Sequence, residues 1–162
     1  MSVGQKIAIA TALAILPVAV QAQGLVTQKN IPLAMAETIA NAALEQCQKM
    51  GYKVSVTVVD RAGLPLVMLR GDGAGLHTPE GSDRKAYTAR TFSQPSEAFV
   101  KRMTDNPAAV GSRMYTRVLA LGGGLPIKAG NEVVGAVGVS GSPGKDDICS
   151  QAGIDKVTDQ LK

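Results

Sequence analysis

The chain has 162 residues, 45% hydrophobic and 19% charged, with a formal net charge of +4. That length supports one hydrophobic core and is too short for two ordinary domains, so a single domain is expected. With one histidine (His77), two cysteines (Cys47 and Cys149), no tryptophan and 3% aromatic residues, a multi-histidine zinc site, a disulfide-dense miniprotein and an aromatic base-stacking platform are excluded.

Residues 1–22 read as a cleavable export signal. Lys6 supplies a positive start, Ile7 to Val20 carries no charge, and Val20-Gln21-Ala22 fits the small-x-small pattern of a signal peptidase site. The apolar run is shorter than the roughly 20 residues that span a bilayer. A mature chain starting at Gln23, with residues 23–162 as one domain, is therefore expected in the periplasm or outside the cell. Losing Lys6 leaves only a mild basic excess, scattered along the chain, which gives no support to nucleic-acid or membrane binding. In an oxidising compartment Cys47 and Cys149 are expected to close one bridge; the alternative is two buried thiols.

Leu33, Ala36, Ala40, Ala43, Leu44 and Cys47 recur at three- and four-residue steps between Pro32 and Gly51, which predicts an amphipathic helix. Val54, Val56 and Val58 alternate with Ser55 and Thr57, and the turn at Arg61-Ala62-Gly63 leads into Leu64–Arg70, which predicts a β-hairpin. Gly71–Gly81 reads as a loop, Ser82–Phe92 as a second helix, and Ser96–Met103 as a short third helix between Pro95 and Pro107. Thr104–Met114 reads as irregular. Tyr115–Leu121, Leu125–Lys128 and Glu132–Ser140 read as three further strands, and Ile148, Ala152, Ile154, Val157 and Leu161 mark a closing helix. The expected fold is α+β: a five-stranded, mainly antiparallel sheet flanked by helices, in which the first and last helices bring Cys47 and Cys149 together.

Common chemistries fail on spacing. A Walker loop at Gly144-Lys145 would need glycine at 139 and Ser or Thr at 146, where the chain has Val139 and Asp146. Gly135, Gly138 and Gly141 lie along a strand without the dinucleotide spacing, and are expected to permit close backbone approach for subunit packing or a flat ligand. Ser140 lacks a nucleophile elbow. Asp146 and Asp147 read as a helix start complementing its dipole, in preference to an acid/base dyad.

The densest polar stretch runs from Arg70 through Asp72, His77 and Thr78 to Glu80, Arg84 and Lys85. Around it lie five motifs: Val56-Thr57-Val58-Val59-Asp60-Arg61-Ala62-Gly63, Arg70-Gly71-Asp72-Gly73-Ala74, Lys85-Ala86-Tyr87-Thr88-Ala89, Gly122-Gly123-Gly124-Leu125-Pro126-Ile127, and Val134-Gly135-Ala136-Val137-Gly138-Val139-Ser140-Gly141. In that order they resemble the GlcG/HbpS-like family of haem-binding, or haem-degrading domain, proteins. The resemblance covers nearly all of Ile31 to Leu161. It implies a helix-flanked antiparallel sheet in an oligomer, and haem as cofactor or cargo. A haem site needs an axial donor, an apolar wall and cations for two propionates. His77 is the candidate iron ligand, with Thr78 a weak oxygen donor, Arg70, Arg84 and Lys85 propionate partners, and Asp72 part of the same loop; Met68, Leu76 and Phe92 offer apolar surface. The plain reading instead leaves His77 in solvent, pairs Arg70 with Asp72, and puts Lys85 on an exposed helix face. One histidine per chain means that bis-histidine ligation would take two subunits. The functional expectation is an exported protein that sequesters, senses or delivers haem. An enzyme degrading haem or acting on a small organic acid, and an oligomeric scaffold for another small anion, are the alternatives; the absence of a flavin or nicotinamide motif favours binding.

Overall fold

The computed structural model describes Met1 and residues 24–162; the export signal expected at residues 1–22 lies, from residue 2 on, outside the described residues. The elements run α1 (Leu33–Lys49), β1 (Ser55–Val59), β2 (Pro65–Arg70), α2 (Thr78–Phe92), α3 (Ser96–Asp105), a 3-10 segment (Pro107–Met114), β3 (Gly124–Ala129), β4 (Glu132–Ser140) and α4 (Asp146–Asp155). No helix among the described residues is long and apolar enough to cross a membrane.

The sheet is antiparallel throughout, in the order β2-β1-β4-β3. Side chains alternate across a strand, so each face of β1 has its own partner. Val56 and Val58, with Val137 and Val139 of β4, join the core that contains Ala36, Ile39, Ala40, Ala43 and Cys47 of α1. The opposite face carries Ser55 and Thr57, and neither reaches water. Their hydroxyls meet those of Thr78 and Ser82 on α2, each at 2.8 Å. The polar half of the alternation is thus the seam on which α2 sits, with Val59, Ala86, Ala89 and Ala136 as its apolar part. A Cβ at Gly138 would collide with the backbone of Ser82 and Ala86, and one at Gly124 with Lys85 O. The close approach expected of Gly135, Gly138 and Gly141 is therefore made within the same chain, by α2 at Gly138, by Val59 O and Ile31 at Gly135, and by Lys53 O and Val54 at Gly141.

The expected disulfide is present: Cys47 of α1 and Cys149 of α4 are bonded, with Cα atoms 5.6 Å apart. It ties together the first and last helices, which pack side by side as expected.

Two expectations need correction. Among the described residues the sheet has four strands, because Tyr115–Leu121 does not pair with any of them. That segment runs along α2, whose side chains satisfy its backbone: Arg84 Nη2 donates to Val118 O at 2.9 Å and Leu119 N donates to Thr88 Oγ1 at 2.9 Å. Arg117 anchors it further, donating to Asp83 and to Gly63 O while its guanidinium lies over the Tyr87 ring. Also, α2 begins at Thr78 and not at Ser82. Pro79 falls in its first turn, where no amide is needed, and Gly81 is held tight against Ser140, so the residues that look like loop breakers serve the helix start.

Candidate functional site

The start of α2, the segment before β3 and the β4–α4 loop enclose a cavity of about 480 Å³. Small-molecule sites commonly occupy roughly 300–1,000 Å³. Its floor is a buried ion pair. Lys85 lies on the stripe Ser82, Lys85, Ala86, Ala89 of α2, which faces the sheet, and its ammonium is only 2% exposed. Lys85 Nζ donates to Asp146 Oδ2 at 2.7 Å and to Val139 O at 3.1 Å. The other oxygen of Asp146 accepts from Ser142 N at 2.9 Å and Ser142 Oγ at 2.6 Å. Every polar atom of the pair's working ends is thereby engaged, which is what allows two charges to stay inside.

Beside this floor Glu97 of α3 and Asp147 of α4 converge on Gly122. A Cβ there would collide with Glu97 Oε2 and lie 3.3 Å from Asp147 Oδ2, so the meeting of the two carboxylates depends on glycine. Burial, assisted by the charges of Glu97 and Asp146, holds the Asp147 carboxyl above its ordinary range, against the opposing Gly123 amide and Lys85. The folded chain therefore keeps that proton to a higher pH than the unfolded chain does. Stability falls as pH rises from the ordinary carboxylate value through the raised one. D147N removes this fall while its amide oxygen can still accept from Gly123. The variant is expected to gain stability near neutral pH and to match the parent in acid, where both forms are uncharged; urea unfolding at the two pH values measures it.

The remaining walls are Leu121, Gly122, Gly141, Pro143 and Gly144, a surface with few projecting side chains. Gly141 adopts φ 126° and packs on Lys53 O and Val54, a position closed to other residues. His77 stands at the mouth, beside Leu76, which is 89% exposed. Its imidazole packs over Gly75 and makes no hydrogen bond among the described residues, so both ring nitrogens are available. The site can thus offer an imidazole nitrogen to a ligand whose body lies along the glycine wall.

The residues singled out in the sequence divide. His77 and Lys85 line the cavity, although Lys85 forms the buried floor and not an exposed helix face. Arg84 borders an adjoining hollow of about 190 Å³ that His77 shares, and is engaged by Glu80 and by Val118 O. Thr78 is turned to the sheet: its hydroxyl donates to Gly75 O and meets Ser55. Arg70 donates to Ala74 O across its own turn at 2.8 Å and makes no ion pair with Asp72, which sits exposed in that turn. Sequence reasoning missed Glu97, Asp146 and Asp147 as cavity residues. One signal was present for Asp146: a lysine on an apolar stripe demands a buried acid.

A family model described as "Haem degrading protein HbpS-like" matches residues 31–155. A crystal structure of a double mutant of Streptomyces reticuli HbpS superimposes with a TM-score of 0.78 and 38% identity, over 88% of this chain and 97% of that one. Protein GlcG of Escherichia coli K12 is 32% identical over 107 residues, 65% of this chain and 78% of that protein. A crystal structure of a PduOC–haem complex aligns with a TM-score of 0.71 and 25% identity, over 79% of this chain and 95% of that one. The family match spans the whole unit from Ile31, at the edge of the core, to Asp155 at the end of α4, and so takes in the sheet, its glycine seams and the cavity alike: the chain belongs to the HbpS-like family.

Proposed function

We propose that this protein is an exported haem-binding protein, which sequesters, senses or delivers haem from the cavity at the start of α2. The observation that carries the reading is His77: an imidazole with no hydrogen-bond partner among the described residues, the chain's one histidine, at a cavity whose wall includes Gly122, Gly141 and Gly144. Support also comes from a structural relative solved as a haem complex. Bound there, haem would supply an iron centre with redox and ligand-binding chemistry.

The residues fit a haem in donor and wall. His77 would hold the iron, and Leu76 and Leu121 would cover the macrocycle at the mouth. The propionates fit differently from expectation. Lys85 is committed to Asp146, Arg84 to Glu80 and Val118 O, and Arg70 to Ala74 O. Glu97 and Asp147 line the cavity and would disfavour carboxylates beside them. Binding is preferred to degradation because the chain carries no flavin or nicotinamide motif to bring electrons. Export by residues 1–22 and a homo-oligomeric assembly complete the proposal.

Titration of haemin into the protein is expected to give a saturable Soret band that persists under reductant and oxygen. A band that bleaches with stoichiometric iron release would replace the binding reading with a degrading enzyme. Failure to saturate would remove haem altogether and leave the scaffold for another small anion.

A further inference from the structure

A second cavity, of about 510 Å³, lies at the β1–β2 turn and is lined by Gln28, Asn30, Asp60, Arg61, Ala62 and Arg90. Two guanidiniums face one space there, and their situations differ. Arg61 is partnered: it pairs with Glu132, which does not line the cavity, and donates to Lys29 O. Arg90, in the last turn of α2, makes no hydrogen bond or ion pair among the described residues, and its Nε is buried without an acceptor. A cation suits the C-terminal turn of a helix, which accounts for a charge at Arg90 but not for a donor shut away from water. Buried donors are normally satisfied, and each exception asks for a missing partner. Burial and the neighbouring Arg61 also pull the Arg90 guanidinium below its ordinary value, with Asp60 opposing.

We propose that this cavity binds a small monocarboxylate, held by Arg90 through its two terminal nitrogens, which have no partner among the described residues, with Arg61 and Asn30 at its sides. The fork of an arginine matches a carboxylate in two parallel hydrogen bonds. Asn30 is set for donation: its side-chain oxygen already accepts from the amides of Ile31 and Arg61, which leaves its NH₂ for the cavity. Glu132 already neutralises Arg61, which leaves Arg90 as the one lining guanidinium without an ion pair among the described residues, a match for a single carboxylate charge and not for a phosphate dianion. The site is separate from the His77 cavity, with no lining residue in common.

The test is NMR titration of the protein with acetate, with inorganic phosphate at matched ionic strength beside it. Acetate is expected to move the Arg90 Nε–Hε cross-peak and the Ala62 amide saturably, and R90Q to weaken the Ala62 response at least tenfold. Since Arg90 makes no hydrogen bond or ion pair among the described residues, R90Q without acetate is expected to melt at the parent temperature or above it. Three results would overturn the proposal: no saturable shift with acetate, an equal Ala62 response in R90Q, or a lowered melting temperature of R90Q without acetate. Tighter binding of phosphate than of acetate would overturn the carboxylate assignment.

Discussion

Replacing Asp146 with alanine is expected to cost the fold about 3–5 kcal/mol, the scale for removing one partner of a buried ion pair. The substitution leaves the Lys85 ammonium, 2% exposed, with Val139 O as its sole remaining acceptor. It also strips Ser142 of the oxygen that both its amide and its hydroxyl use. Against a total stability of roughly 5–15 kcal/mol for an ordinary domain, that loss leaves little margin. Replacing both partners, Lys85→Met with Asp146→Leu, is expected to cost less than the single change, because no charge is left stranded. Urea unfolding of the three proteins decides the matter, and a cost below about 1 kcal/mol for D146A would contradict the buried pair.

The second large effect comes from the disulfide. Cys47 and Cys149 are 102 positions apart, and a loop of that size constrains the unfolded chain by about 4–5 kcal/mol in the chain-entropy account. The bond clamps α1 to α4, and the first turn of α4 carries Asp146 and Asp147 into the cavity. Reduction is therefore expected to lower the urea midpoint of the wild type strongly and to leave that of the C47S/C149S double variant unchanged. Equal midpoints for reduced and oxidised wild type would show that the bridge contributes nothing.

These effects explain which parts of the molecule were legible from its residues. Periodicity located α1, the β1–β2 hairpin, β3, β4 and the closing helix, because each buries an apolar face whose spacing is written locally. It failed at Tyr115–Leu121, where a strand-like run is held along α2 by Arg84 and Thr88 and, through its own Arg117, by Asp83 and Gly63, residues far away in the chain. The Ser55 and Thr57 alternation signalled a strand but not its two-sided burial, since hydroxyls that normally face water here meet Thr78 and Ser82. At the site, His77 was legible because it is the chain's one imidazole. Lys85 stood in the densest polar stretch of the sequence, while its burial depended on Asp146, far along the chain. Glu97 and Asp147 were not legible at all: their meeting over Gly122 joins α3, α4 and the segment before β3, and no local pattern records that. Arg61 belonged to a motif that marked the family, and only the fold places Arg90 next to it.

The central proposal is that His77 would hold the iron of a haem bound at the start of α2, and one comparison reaches it directly. Haemin is titrated into wild type and H77A, and the Soret band of each saturated complex is recorded. His77 makes no hydrogen bond in the fold among the described residues, so the variant is expected to fold as the parent does. The account predicts a shifted or lost Soret band and weaker haemin binding in H77A. An unchanged spectrum and affinity would place the iron elsewhere and contradict it.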